Sequence, residues 1–120
     1  SCMAALETIA LLEEGLMENA AIEGNRLMDG LAKLQQSHEC MGDVRGKGLM
    51  VAVEFVKDRE TKEPARKWRN DIIKHAFRKG LLLLGCGENS IRFCPSLTVN
   101  TAEIDKCLSI FDDVVREMAL

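Results

Sequence analysis

No apolar run in this 120-residue chain approaches the roughly 20 residues that a membrane-spanning helix needs, and its start lacks the charged-then-apolar layout of a secretory leader. Long blocks of one charge are missing as well. Sixteen basic and 19 acidic residues are mixed along the chain to a formal net charge of −3, which gives neither nucleic acid nor an anionic membrane anything to hold. Internal repeats and low-complexity segments are absent. The five cysteines (Cys2, Cys40, Cys86, Cys94 and Cys107) are odd in number and scattered among apolar neighbours. That pattern suits free, buried thiols in a reducing compartment, so the expected location is the cytoplasm.

What is present fits one soluble domain. With 47% hydrophobic and 29% charged residues, a chain of this length can bury roughly 65% of the surface it exposes when unfolded, enough for one core. "SCMAALETIALLEE" opens directly in helical pattern with no initiator methionine, so the sequence is read as a piece of a longer chain. Met3, Leu6 and Ile9 or Ala10 recur at helical spacing from Cys2 to Glu14. A second helix is expected over Leu16 to Gln36. Its apolar stripe is Met17, Ala20, Gly24, Leu27, Leu31 and Leu34, with Gly24 allowing a close neighbour, and its solvated face is Glu18, Asn19, Glu23, Arg26 and Lys33.

The period then changes. "LMVAVEFV" places Leu49, Val51, Val53 and Phe55 on one side of a strand and Met50, Ala52, Glu54 and Val56 on the other. "GDVRGKG" before it reads as a short strand or bulged entry. A third helix is expected from Pro64 to about Lys79, burying Trp68, Ile72, Ala76 and Phe77 and stopping at Gly80. "LLLL", Leu81 to Leu84, reads as a buried strand, and "SIRFCP" returns antiparallel to it after "GCGEN". In the last helix Asn100 is the N-cap, Glu103 completes a capping box, and Ile104, Leu108, Phe111, Val115 and Met118 form the apolar stripe. The fold class is therefore α+β: a small, mostly antiparallel sheet of three to four strands with helices on one face, preceded by a long helical segment.

Few residues offer chemistry. "GDVRGKG" has three residues between Gly42 and Gly46, lacks a Ser or Thr after Lys47 and precedes a strand, so it does not read as a phosphate loop. His38 and Cys40 form an H-x-C pair with no further ligands at zinc spacing, and no metal is expected. His75 falls on the surface of its helix. Cys86 between glycines reads as a small turn residue rather than a reactive thiol. Arg92 remains. Ile91 and Phe93 point to one face of their strand and Arg92 and Cys94 to the other, so a planar fork of donors leaves a rigid element just where Pro95 ends it. Such a fork can grip a carboxylate bidentately. Pattern alone favours the ordinary alternative, an arginine paired with a structural Asp or Glu, and leaves the choice open.

Four segments, "SCMAALETIALLEE", "DVRGKGLMVAVEFV", "VKDRETKEP" and "GLLLLGCGENSIRFCPSLTVNTAEID", together resemble in order the C-terminal part of class III aminotransferases, the pyridoxal-phosphate enzymes that include 4-aminobutyrate aminotransferase. The resemblance implies that residues 1–36 are a helical connection from a large cofactor-binding domain and that residues 37–120 are the small C-terminal domain. It implies that Arg92, in the "IRF-x-P-x-L" segment, anchors the carboxylate of an ω-amino acid such as 4-aminobutyrate, or of a related amino acid or 2-oxo acid. Cys94 and Ser96 flank Pro95 where the family has apolar residues or proline. The Schiff-base lysine, the partner of the pyridine nitrogen and the phosphate donors would lie in the large domain, partly on a second subunit. No catalytic, cofactor or metal residue is therefore assigned here, and Lys47 is not nominated. The chain alone is expected to be inactive and to bind no pyridoxal phosphate, and the full-length enzyme is expected to be a homo-oligomer. Two other readings stay open from the residues: a free-standing ligand-binding or assembly module, and self-association of the opening helix through Met3, Leu6 and Ile9.

Overall fold

The apolar and acidic helix formers at the start build a long helical arm. Helix α1 (Cys2–Leu11) passes through a kinked segment (Leu12–Leu16) into α2 (Met17–Ser37). The two helices expected from the sequence are thus joined by a kink rather than a loop, made possible by Gly15 at φ 155°. The computed structural model describes residues 1–118. Helix α1 buries none of its residues, and Met3 is 81% exposed. Helix α2 buries Gly24, Leu27 and Leu31 from the expected stripe, while Met17 at its start is exposed. Glu23, expected on the solvated face, is buried instead. Its Oε1 accepts a hydrogen bond from Thr101 Oγ1 at 2.7 Å, beside a helix N-terminus that favours a carboxylate.

Four strands follow the change of period: β1 (Met41–Lys47), β2 (Met50–Phe55), β3 (Leu84–Cys86) and β4 (Ser90–Phe93), in the order β1-β2-β4-β3 with every pairing antiparallel. "GDVRGKG" lies on β1 and its turn, with a bulge between Met41 and Asp43. Gly48 and Leu49 connect Lys47 to Met50, and the positive φ of Gly48, 56°, supplies the twist a two-residue hairpin needs. Val51, Val53 and Phe55 of β2 and Ile91 and Phe93 of β4 are buried, as alternation predicts. They face α2, α3 (Arg66–Arg78) and α4 (Thr101–Glu117). At the centre Phe111 of α4 stands edge-on to Phe93, with centroids 5.1 Å apart, and to Phe55 at 6.3 Å. Among the described residues no helix lies on the opposite face of the sheet.

Three expectations need correction. Helix α3 begins at Arg66 rather than Pro64, because Pro64 forms a bridge with Val56. Ile72 and Ala76 are buried and Trp68 is half-buried, but Phe77 is 67% exposed, since it lies off the Ile72–Ala76 stripe. Of the four leucines, only Leu83 is buried. Leu82 is 74% exposed, and the strand begins at Leu84, so the run passes along the sheet edge instead of into the core. Helix α4 matches its pattern closely. Glu103 N donates to Asn100 Oδ1 at 2.9 Å and Asn100 N donates to Glu103 Oε1 at 3.2 Å. Asn100→Ala is expected to cost about 1 kcal/mol, read as a fall of a few degrees in Tm.

Candidate functional site

Arg92 sits on an inner strand, hydrogen-bonded to β2 on one side and β3 on the other, so its backbone is fixed by two ladders. Its buried neighbours Ile91 and Phe93 lock the face from which it emerges. Ala52 of β2 and Leu84 of β3 are its cross-strand partners, one small and one apolar. Among the described residues the Arg92 guanidinium enters no ion pair, although ten others are formed. It borders a groove of about 300 Å³ lined also by Leu82, Leu84, Phe93, Pro95, Glu103 and Ile104. A cation left unpaired can take an anion with little competition from water once the face is covered.

Two residues that the sequence reading did not single out hold β4 in place. Arg69 of α3 is buried; its Nη1 donates to Ser90 O at 2.9 Å and its Nε to Asn70 Oδ1 at 2.8 Å. Asn89 is buried too, and its Nδ2 donates to Phe55 O at 2.6 Å. The one signal for Arg69 was its position on the same helical stripe as Ile72 and Ala76, where an apolar residue is normal. Beside Arg92 the open face also carries an ion-pair cluster. Arg45 Nη1 donates to Asp43 Oδ2 at 2.8 Å and to Glu54 Oε2 at 3.0 Å. Hydrogen bonding to Asp43, then to Glu54, raises the Arg45 pKa above the ordinary arginine value.

The remaining candidates are dispersed. His38 Nε2 pairs with Asp112 Oδ1 at 2.7 Å and not with Cys40, which is buried in the core. Among the described residues no three His, Cys, Asp or Glu side chains gather where they could hold a metal ion, and no helix is long and apolar enough to cross a membrane. Burial pushes the thiols of Cys40 and Cys107 up to about 11, whereas Cys2, Cys86 and Cys94 are exposed. Iodoacetamide at pH 8 is expected to label these three while sparing Cys40 and Cys107, as read by peptide mass spectrometry. Equal labelling of all five would contradict the packing.

The class-III aminotransferase family model matches residues 1–115. The chain is 39% identical to the 5-aminovalerate aminotransferase DavT of Pseudomonas aeruginosa, over 99% of this chain and 29% of that protein. It is 38% identical to the 4-aminobutyrate aminotransferase GabT of Escherichia coli, over 98% of this chain and 28% of that protein. An amine transaminase from an uncultivated Pseudomonas species, solved in its pyridoxal-phosphate-bound internal aldimine form, superposes with a TM-score of 0.88 at 34% identity, over 97% of this chain and 27% of that one. The chain thus spans little more than a quarter of the length of the curated relatives it matches. The cofactor in that neighbour requires a lysine, an acid for the pyridine nitrogen and phosphate donors around one cavity. No lysine lines the groove at Arg92, and Lys47 lies opposite Met50 at the end of the β1–β2 hairpin. The groove at Arg92 does not fit pyridoxal phosphate.

Proposed function

This chain belongs to the class-III aminotransferase family, and on that premise we propose that it is the C-terminal part of a pyridoxal-phosphate enzyme. In this reading the enzyme moves an amino group between an ω-amino acid, such as 5-aminovalerate or 4-aminobutyrate, and a 2-oxo acid. The cofactor is held by polypeptide outside these residues and supplies the electron sink for amino transfer. The contribution of the present residues is recognition: Arg92 takes the substrate carboxylate in its guanidinium fork.

The observation that carries this reading is the unpaired Arg92 on the helix-free side of the sheet, at the position where the family's "IRF-x-P-x-L" segment has its carboxylate-binding arginine. Because β4 is laddered on both sides and held by Arg69 and Asn89, the backbone from which the fork projects is fixed. A fork projecting from a fixed strand lets carboxylate binding orient the far end of the substrate rather than merely retain it. Its cross-strand partners, Ala52 and Leu84, offer it no acid. Residues 1–36 serve as the connection to the cofactor-binding domain, and the full-length protein is a cytoplasmic homodimer or a multiple of dimers.

The test is an amino-transfer assay with 5-aminovalerate or 4-aminobutyrate and 2-oxoglutarate. The full-length polypeptide loaded with pyridoxal phosphate is expected to turn over, and the 120-residue chain with added cofactor to be inactive. Turnover by the isolated chain, or none by the full-length protein with any ω-amino acid, would contradict the proposal.

A further inference from the structure

We propose that Arg45 is a positioning residue, which keeps Arg92 available for a substrate carboxylate by holding Glu54 away from it. The inference rests on the reading of Arg92 as the carboxylate anchor. Three strands carry the argument. Arg45 of β1 and Arg92 of β4 are both cross-strand partners of Ala52, from opposite sides of β2. Their backbones are therefore two strand spacings apart, about 10 Å. Glu54 lies two residues beyond Ala52 on the same face of β2, where it is paired with Asp43 on one side and Ser90 on the other. It is consequently a diagonal neighbour of both arginines, at about 7–8 Å, a separation that long side chains span.

Glu54 has gone to Arg45. Its Oε2 accepts from Arg45 Nη1 at 3.0 Å, and its Oε1 lies 3.5 Å from Asn89 Nδ2. Asn89 is itself buried and fastened to Phe55 O, so Oε2 is engaged on the β1 side, away from Arg92, and Oε1 meets a side chain that is already held. Asp43, the other acid on Arg45, is two strands from Arg92 and out of reach. Glu103, which also borders the groove at Arg92, is committed to the capping box of α4. Without Arg45, Glu54 would keep only the long contact to Asn89, and the uncompensated cation across Ala52 would become its best partner. An internal carboxylate competes at an effective concentration in the millimolar range or above, so it would displace a substrate present at similar levels.

The test uses the full-length holoenzyme with 5-aminovalerate as donor, measuring KM and kcat for Arg45→Gln, Arg45→Lys, Glu54→Gln, Arg45→Gln/Glu54→Gln and Arg92→Gln. Arg45→Gln is expected to raise KM about tenfold or more with a much smaller change in kcat. Adding Glu54→Gln removes the competing acid and is expected to restore KM to within about threefold of the unmodified enzyme, a rescue that a merely structural role for Arg45 would not give. Glu54→Gln alone should leave KM unchanged, and Arg45→Lys, which keeps a cation beside Glu54, should fall near the unmodified value. An unchanged KM in Arg45→Gln, or a double variant as weak as the single one, would overturn the inference while leaving Arg92 in its role if Arg92→Gln is impaired. If Arg45→Gln yields no soluble enzyme, Arg45→Lys at the level of a complete loss of carboxylate binding would overturn it equally. An Arg92→Gln enzyme with unchanged KM and kcat would remove the anchor itself, and the Arg45 inference with it.

Discussion

Arg92→Ala in the full-length holoenzyme is expected to lower kcat/KM for an ω-amino acid by about 30- to 150-fold, because a charge-assisted pair in a covered site contributes roughly 2–3 kcal/mol. The effect should appear mainly in KM if the arginine retains the substrate, and in both constants if it also aligns the amino end. Arg92→Lys keeps the charge but loses the planar fork, so it should recover only part of the activity. The surroundings make this a recognition loss rather than a folding loss. Arg92 is exposed in the isolated chain, enters no ion pair among the described residues, and has side-chain neighbours, Ala52 and Leu84, that need nothing from it. A Tm close to that of the unmodified protein should accompany the kinetic defect. A variant with full activity would remove Arg92 from the site.

Gly24→Ala is expected to destabilise the fold strongly. A Cβ at this position would lie 2.1 Å from Gly48 O and 2.3 Å from Gly48 C, so α2 crosses the β1–β2 turn at backbone contact. Alanine gains up to about 1 kcal/mol in helix propensity over glycine. The overlap is with main chain at a positive-φ turn, which cannot swing aside, and overpacking of this kind costs about 3 kcal/mol or more. The clash wins by roughly 2 kcal/mol or more, a fall of about 10 °C in Tm for a domain of this size. Gly30→Ala provides the contrast. There the new Cβ would meet the Leu108 side chain, 2.3 Å from Cδ1, and a leucine rotamer can give way. Gly30→Ala should therefore be much milder, and equal losses at the two positions would show that the hairpin is not seated on α2 as described.

The strongest signals in the sequence were periodic. The α4 stripe, with its capping box, and the alternation of Val51, Val53 and Phe55 both depend on spacing within one element, and both appear in the fold. The face taken by Arg92 follows from the same alternation, and the close approach at Gly24 was readable as a gap in the α2 stripe. Less legible were features set between elements. Whether Phe77 and the leucines at 82 and 84 are covered depends on which surface lies opposite them, and hydrophobicity does not carry that information. Glu23 and Arg69 looked solvated or ordinary because their partners, Thr101 and the Ser90 carbonyl, are 78 and 21 residues away. Whether Arg92 is paired with an acid, which pattern left open, turns on the register of three strands that places Glu54 within reach of Arg45 as well as Arg92.

The most direct measurement is a crystal structure of the full-length holoenzyme with valerate, a monocarboxylate without an amino group to react. The account predicts both carboxylate oxygens on the Arg92 guanidinium at about 2.8 Å, with Glu54 still on Arg45. Valerate held by a different cation, with Arg92 bonded to a carboxylate of the protein or turned into solvent, would contradict it.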